Sequence, residues 1–179
     1  TAVASLDVEK AFDSVWHNGL RHKLAAAELQ LPTKLIRLLS SYLDGRTIQV
    51  RVGQTLSRPI TLLAGTPQGS VLSPTLFNVF VNDIPLRQGG LNDGGQFADD
   101  VTAWTSARLK RTALARLQHS LNLLEPWLYK WRIKINVAKT QLVCFNQRGT
   151  GATLTFCGEE VKETKQMKIL GTIFDRLAM

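Results

Sequence analysis

Cysteine is scarce in this chain of 179 residues: Cys144 and Cys157 are the two, and they lack the paired spacing of a zinc site. That excludes a disulfide scaffold, and both read as reduced core thiols of an intracellular protein. Histidine is equally sparse. His17, His22 and His119 form no ligand pair, and His17 and His22 read as surface residues. No apolar run is long enough to cross a bilayer, and no stretch resembles a secretory leader. There is no repeat, no low-complexity tract and no sign of an internal domain boundary. Acid is nearly missing from residues 101–158, where nine Lys and Arg face Glu125 alone.

What is present looks globular, with 44% hydrophobic and 20% charged residues. The length suits one domain with a real core. The chain starts inside an apolar β-type run and stops soon after another, so both ends are expected to be cuts in a longer protein. Net charge is +8, and all of it resides in 101–158. A basic flank of that kind suits a polyanion.

Thr1–Leu6 reads as a buried strand that delivers Asp7 at its end. Ser14 is placed to cap a helix with Trp16, Leu20, Leu24 and Ala27 on one stripe. Pro32 opens a second helix, with Leu35, Leu38, Leu39, Tyr42 and Leu43 on one side, and Asp44-Gly45 ends it. Arg46–Val52 and Leu56–Leu63 alternate as two strands about a turn at Gly53. A loop rich in glycine, Ala64–Ser70, precedes a helix opened by Ser73-Pro74 with Leu76, Phe77, Phe80 and Ile84 on one face. Residues 87–95 read as a surface loop. A long helix capped by Ser106 carries Leu109, Ala113, Leu117, Leu121, Leu124, Leu128 and Trp131, with a kink or restart at Pro126. Strands follow at Gln141–Phe145, near Leu154 and Val161, and over Met167–Phe174. Strands and helices mix without strict alternation, so the expected class is α+β with a largely antiparallel sheet packed on helices.

The chemistry centres on Gln96–Thr102. Gly95–Ala98 and Val101–Trp104 read as strands of a tight hairpin with Asp99 and Asp100 at its tip. Adjacent carboxylates repel, so they call for a cation or strong donors. Hard oxygen ligands with no His or Cys nearby suit Mg²⁺, with Mn²⁺ an alternative. If the strand ending in Asp7 lies beside this hairpin, three carboxylates converge, enough for two divalent ions about 4 Å apart and in-line phosphoryl transfer.

These residues fall into five ordered blocks: Asp7-Val-Glu-Lys-Ala-Phe-Asp13, Gly65-Thr-Pro-Gln-Gly-Ser-Val-Leu-Ser-Pro74, Phe97-Ala-Asp-Asp100, Asn136-Val-Ala-Lys-Thr140 and Ile169-Leu-Gly171. In order and spacing they resemble motifs A to E of a reverse transcriptase palm. Ser41-Tyr-Leu-Asp-Gly-Arg46 and the Phe97 before Ala-Asp-Asp lean towards the non-LTR (LINE-type) retrotransposon branch.

The resemblance implies a partial reverse transcriptase domain over 1–179, with most of the fingers and thumb outside it. It implies an RNA-directed DNA polymerase that adds dNTPs to a DNA primer on an RNA template with two Mg²⁺ ions, acting in retrotransposition. Asp7 and Asp99 would be the main catalytic metal ligands, with Asp100 close by and the Val8 carbonyl assisting. Lys139 would be the acid for the departing pyrophosphate. Ala11, Phe12, Gln68 and Gly69 would contact the nucleotide, with Phe12 gating the sugar. Leu170 and Gly171 would grip the primer end. Glu9, Asp13 and Asp83 are left as surface or capping groups. No membrane partner is expected, and an intracellular location, nuclear or cytoplasmic, follows from the likeness. Two other readings share these residues: a metal-dependent phosphodiesterase, and a nucleic-acid-binding relic that no longer catalyses.

Overall fold

The computed structural model describes residues 1–26, 29–86, 92–146 and 151–177. Ala27 and the loop over 87–91 therefore lie outside the described residues. In chain order the elements are β1 (Ala2–Asp7), α1 (Ala11–Ser14), α2 (His17–Leu24), α3 (Thr33–Leu43), β2 (Thr47–Ile48), β3 (Arg51–Val52), β4 (Thr55–Leu56), β5 (Ile60–Thr61), α4 (Ser73–Val81), β6 (Asn92–Phe97), β7 (Asp100–Thr105), α5 (Lys110–Trp131), β8 (Gln141–Cys144), β9 (Thr153–Phe156), β10 (Glu159–Lys162), β11 (Gln166–Ile169) and β12 (Thr172–Asp175). They form two compact units, one of residues 1–9 and 83–179, the other of residues 10–82.

The first unit is built on a four-stranded sheet in the order β6-β7-β1-β8. Every pairing in it is antiparallel. β1 is central and apolar, as a strand buried on both faces should be. Its register sets Ala4 against Ala103 and Leu142, and Val3 against Trp104 and Val143. Alternation then divides the sheet. On one face α5 packs against β1, β7 and β9, burying Ala113, Leu117, Leu121, Leu124, Leu128 and Trp131. Each of these leucines contributes on the order of 1.5–3 kcal/mol. On the other face Val3, Val143 and Met167 form a smaller cluster flanked by Trp104, Phe145 and Ile169.

Several expectations need correction. α5 begins at Lys110 behind Leu109, and Ser106 instead shares a hydrogen bond with the Thr1 hydroxyl at 2.8 Å. The helix runs through Pro126 as one element. The strand over Met167–Phe174 is a hairpin, β11–β12, turning at Leu170-Gly171. β6 starts at Asn92, inside the segment read as loop. Cys144 is buried, but Cys157 is exposed in the β9–β10 turn.

In the second unit α2 packs against α3 and α4, and α1 against α4. Leu20, Leu24, Leu43, Leu76, Phe77 and Phe80 are its buried heart. Ser14 ends α1 and bonds back to the Ala11 carbonyl, so Trp16 is the residue before α2. On α3 only Leu43 is buried, and Leu38 is 64% exposed. The Ser73 hydroxyl donates to the Pro67 carbonyl at 2.6 Å rather than capping α4. The two expected long strands break into four short exposed ones, with Thr47 and Ile48 paired to Thr61 and Ile60, and Arg51 and Val52 to Leu56 and Thr55.

Candidate functional site

Asp7 ends β1 and stands opposite Asp100, the first residue of β7. Directly opposed residues of an antiparallel pair project to one face with Cβ atoms about 5 Å apart. Two carboxylates so placed repel, and that cost calls for positive charge nearby. Asp99 occupies the two-residue turn with Ala98, between the paired Phe97 and Asp100. Ala98 adopts φ 51, as the turns favoured by such short hairpins require, and its carbonyl accepts the Gln96 carboxamide at 3.1 Å. β1 and the hairpin are neighbours in the sheet, as the converging-carboxylate reading required.

The next residue continues the pairing on the other edge. Val8 bridges Ile135, flanked by hydrogen bonds from the Glu9 N–H to the Lys134 carbonyl and from the Asn136 N–H to the Asp7 carbonyl. Those flanking bonds make Val8–Ile135 the non-bonded pair of the ladder. The Val8 carbonyl therefore points away from Ile135, to the edge on which Asp100 lies.

Lys139 supplies the positive charge, with Nζ 3.7 Å from Asp7 Oδ2. The Lys139 side chain is exposed and that of Asp7 partly so, and a pair this open to solvent adds little stability. Its position is set by a 3-10 turn, Val137–Lys139, whose Asn136 side chain accepts the Lys139 N–H at 3.2 Å. Asn136 thus ties this turn to the backbone of Asp7, a role its place in the motif did not reveal.

The donors, carboxylates and a main-chain carbonyl, are the hard oxygens that divalent Mg²⁺ or Mn²⁺ prefers. Among the described residues, no three His, Cys, Asp or Glu side chains converge on one point. The Asp7–Asp100 pair is the part of the set that the sheet itself aligns.

Beside this pair lies a cleft of about 530 Å³ lined by Val3, Phe97, Asp100, Trp104, Phe145, Ile169, Leu170 and Phe174 among others. Phe97 is 68% and Leu170 57% exposed. The cleft brings Leu170 to the same face as Asp100, with Gly171 next to it in the turn at φ 83. Trp104, Phe145 and Phe174 were not singled out from the sequence, although period-two alternation from Asp100 would have pointed to Trp104.

Ala11, Phe12, Gln68 and Gly69 lie in the second unit. Ala11 is buried at the start of α1. The Phe12 ring is half-buried, 5.0 Å from Phe77 at 43°. Gln68 is exposed, and its carboxamide donates to both carboxylate oxygens of Asp13, at 3.0 and 3.2 Å. Asp13, read as a surface group, is what holds Gln68. The loop before it is clasped to α1 by the Gly65 N–H on the Val15 carbonyl and the Thr66 N–H on the Phe12 carbonyl, each at 2.8 Å. His17, expected on the surface, is buried and bonds the Gly65 carbonyl at 2.7 Å. Gly69 has φ 80 and open space about it. Asp83 accepts the Trp127 indole N–H at 3.2 Å in the first unit.

Three kinds of similarity bear on this arrangement. The family profile described as "Reverse transcriptase (RNA-dependent DNA polymerase)" matches residues 1–174. The RNA-directed DNA polymerase from mobile element jockey of Drosophila funebris is 35% identical over 178 residues, covering 96% of this chain and 19% of that protein. The probable RNA-directed DNA polymerase from transposon X-element of Drosophila melanogaster is 35% identical over 175 residues, with the same two coverages. The chain thus spans about a fifth of the length of these curated relatives. Among solved structures, apo telomerase of Candida tropicalis truncated from its C-terminal domain superposes with a TM-score of 0.61 at 18% identity, over 97% of this chain and 35% of that one. That likeness concerns the fold alone.

Proposed function

The chain belongs to the reverse transcriptase family, alongside the non-LTR retrotransposon enzymes, and from that premise we propose that it carries the palm of an RNA-directed DNA polymerase that extends a DNA primer on an RNA template. The single observation that carries this reading is the register pairing of Asp7 with Asp100, which sets two carboxylates on one face beside the turn holding Asp99. Asp7, Asp99, Asp100 and the Val8 carbonyl would hold two divalent ions, Mg²⁺ in the first place. Such ions, when bound, lower the pKa of the attacking hydroxyl and offset charge on the polyphosphate.

In the reaction the primer 3′-hydroxyl would lose its proton to solvent, and its oxygen would bond to the α-phosphorus of a dNTP as the bond to pyrophosphate breaks. Lys139, with Nζ 3.7 Å from Asp7, would protonate the departing pyrophosphate. Leu170, at the rim of the cleft beside Asp100, and Gly171, next to it in the turn, would steady the primer end. In the second unit, Phe77 backs the Phe12 ring, which would leave no room for a 2′-hydroxyl. Asp13 occupies the Gln68 amide nitrogen and leaves its carbonyl for a base or template contact.

The test is dNTP incorporation on an RNA template with an annealed DNA primer, by a polypeptide that carries this chain. Incorporation should require a divalent cation and fall at least about a hundredfold in Asp99→Asn, equivalent to about 2.7 kcal/mol of lost charge stabilisation. An unchanged rate in that variant would defeat the proposal. Shortening of labelled nucleic acid without dNTPs would favour a phosphodiesterase instead.

A further inference from the structure

The sheet separates the acidic pair from much of the basic excess. α5 packs on the face bearing Ala4 and Leu6, whereas Asp7 and Asp100 share the face of Val3 and Trp104. The outer side of α5 therefore points away from the catalytic face of this unit. At about 100° per residue, that outer stripe reads Arg111, Ala115, His119, Asn122, Pro126 and Tyr129. All six are exposed. Tyr129 is 89% exposed, an unusual degree for an aromatic ring. Lys130 and Arg132, also exposed, flank it. No acid lies on the stripe. Glu125, the one carboxylate of α5, is turned aside and accepts the Cys157 N–H at 2.7 Å.

Positive charge at both ends, a bare aromatic ring at one of them and no carboxylate between make a surface complementary to a strand of phosphates with exposed bases. From Arg111 to Tyr129 the helix rises about 27 Å, a length that several nucleotides of an unpaired strand span. We propose that the outer stripe of α5 is a docking track for a single-stranded polynucleotide. Phosphates sit on Arg111 and Lys130, and a base stacks on Tyr129. The track is separate from the Asp7–Asp100 face and holds whatever reaction that face performs.

Anisotropy of a labelled uridine-rich RNA of about twelve nucleotides, and of DNA of matching sequence, titrated with the 179-residue chain tests it. Binding of either strand upholds the track, and the tighter of the two names the source. Arg111→Glu with Lys130→Glu should weaken binding about tenfold and lower the log–log salt slope by about 1.4, two phosphate contacts' worth. Tyr129→Ala should cost about fivefold or more at unchanged slope. The same charge change on α3, Lys34→Glu with Arg37→Glu, should stay within about twofold of the parent. Where the reversed pair fails to melt cooperatively, Arg111→Gln with Lys130→Gln replaces it. Parental affinity and slope in the stripe variants would overturn the proposal, as would an equal loss in the α3 control. So would a stripe that governs binding to phosphatidylserine vesicles but not to either oligonucleotide.

Discussion

Leu170 takes φ 48 and Gly171 φ 83 in the two-residue turn that joins β11 to β12. Both left-handed positions belong to a turn that asparagine or glycine fills without strain. A leucine there costs about 1–2 kcal/mol, and its side chain is 57% exposed at the rim of the cleft. Strain retained at an exposed apolar residue fits a contact made with something outside the chain. Leu170→Asn is therefore expected to raise stability by about 1 kcal/mol, a melting shift of about 2–4 °C in a calorimetric scan. Under the polymerase reading, the same variant should raise KM for primer–template. A variant with no gain in melting temperature would remove the strain argument. From the sequence, Ile169-Leu-Gly171 was legible as a motif, but its position in a turn was not. Met167–Phe174 alternates well enough to pass for one strand, and the reversal is confined to two residues.

At the scale of elements, the loop before α4 and the short α1 are one clasp. Gly65 sits at φ 93, and a Cβ there would meet the Asp13 carbonyl oxygen at 3.0 Å and its Cα at 3.2 Å. Both neighbours are backbone and cannot swing aside. Gly65→Ala should lower stability by about 2 kcal/mol, read as a lower urea midpoint at unchanged slope. The contact to Asp13 predicts that Gln68 loses its fixed carboxamide in the same variant. The exposed hairpin arm makes the opposite point. Alternation in Arg46–Val52 was read correctly as β structure, yet β2 to β5 are two residues each and exposed throughout. Exposed as they are, these strands gain little from burial, and pairing extends only as far as local twist allows. His17 shows what pattern alone misses. A histidine at the start of a helix looks solvated until the Gly65 carbonyl arrives from 48 residues away.

Across the first unit, one carboxylate ties distant parts of the chain. Glu163 is 2% exposed at its side chain and receives Lys110 Nζ at 2.7 Å and the Ala152 N–H at 3.1 Å, with Arg176 Nη1 at 4.0 Å. Burial pushes this carboxyl up, but the Lys110 hydrogen bond, the Ala152 N–H and the charges of Lys110 and Arg176 together hold it below its usual value of 4.5. A carboxyl depressed in the folded state contributes stability that is complete above about pH 4.5 and is lost as pH falls through the folded value. Glu163→Gln should therefore cost about 3 kcal/mol at pH 7, with the gap to the parent narrowing below pH 4.5 in urea titrations. A gap constant from pH 7 to pH 3 would show that the ion cluster is not its source. The same burial, with Glu163 beside it, pushes the Cys144 thiol up to about 11.

The sequence by itself determined the chemistry on offer: the acidic dipeptide between two β runs, the acid after the first strand, the glycines of the loop and the stretch of 101–158 with one acid. Those are local facts, written in residue type and in spacing of two or about four. Only the tertiary structure decided which side each group faces. It paired Asp7 with Asp100, set Asp13 on Gln68, and put the outer face of α5 behind the sheet rather than beside the hairpin. Periodicity shows that an element has two sides. Which side meets which partner depends on contacts between residues far apart in the chain, and no local pattern encodes those.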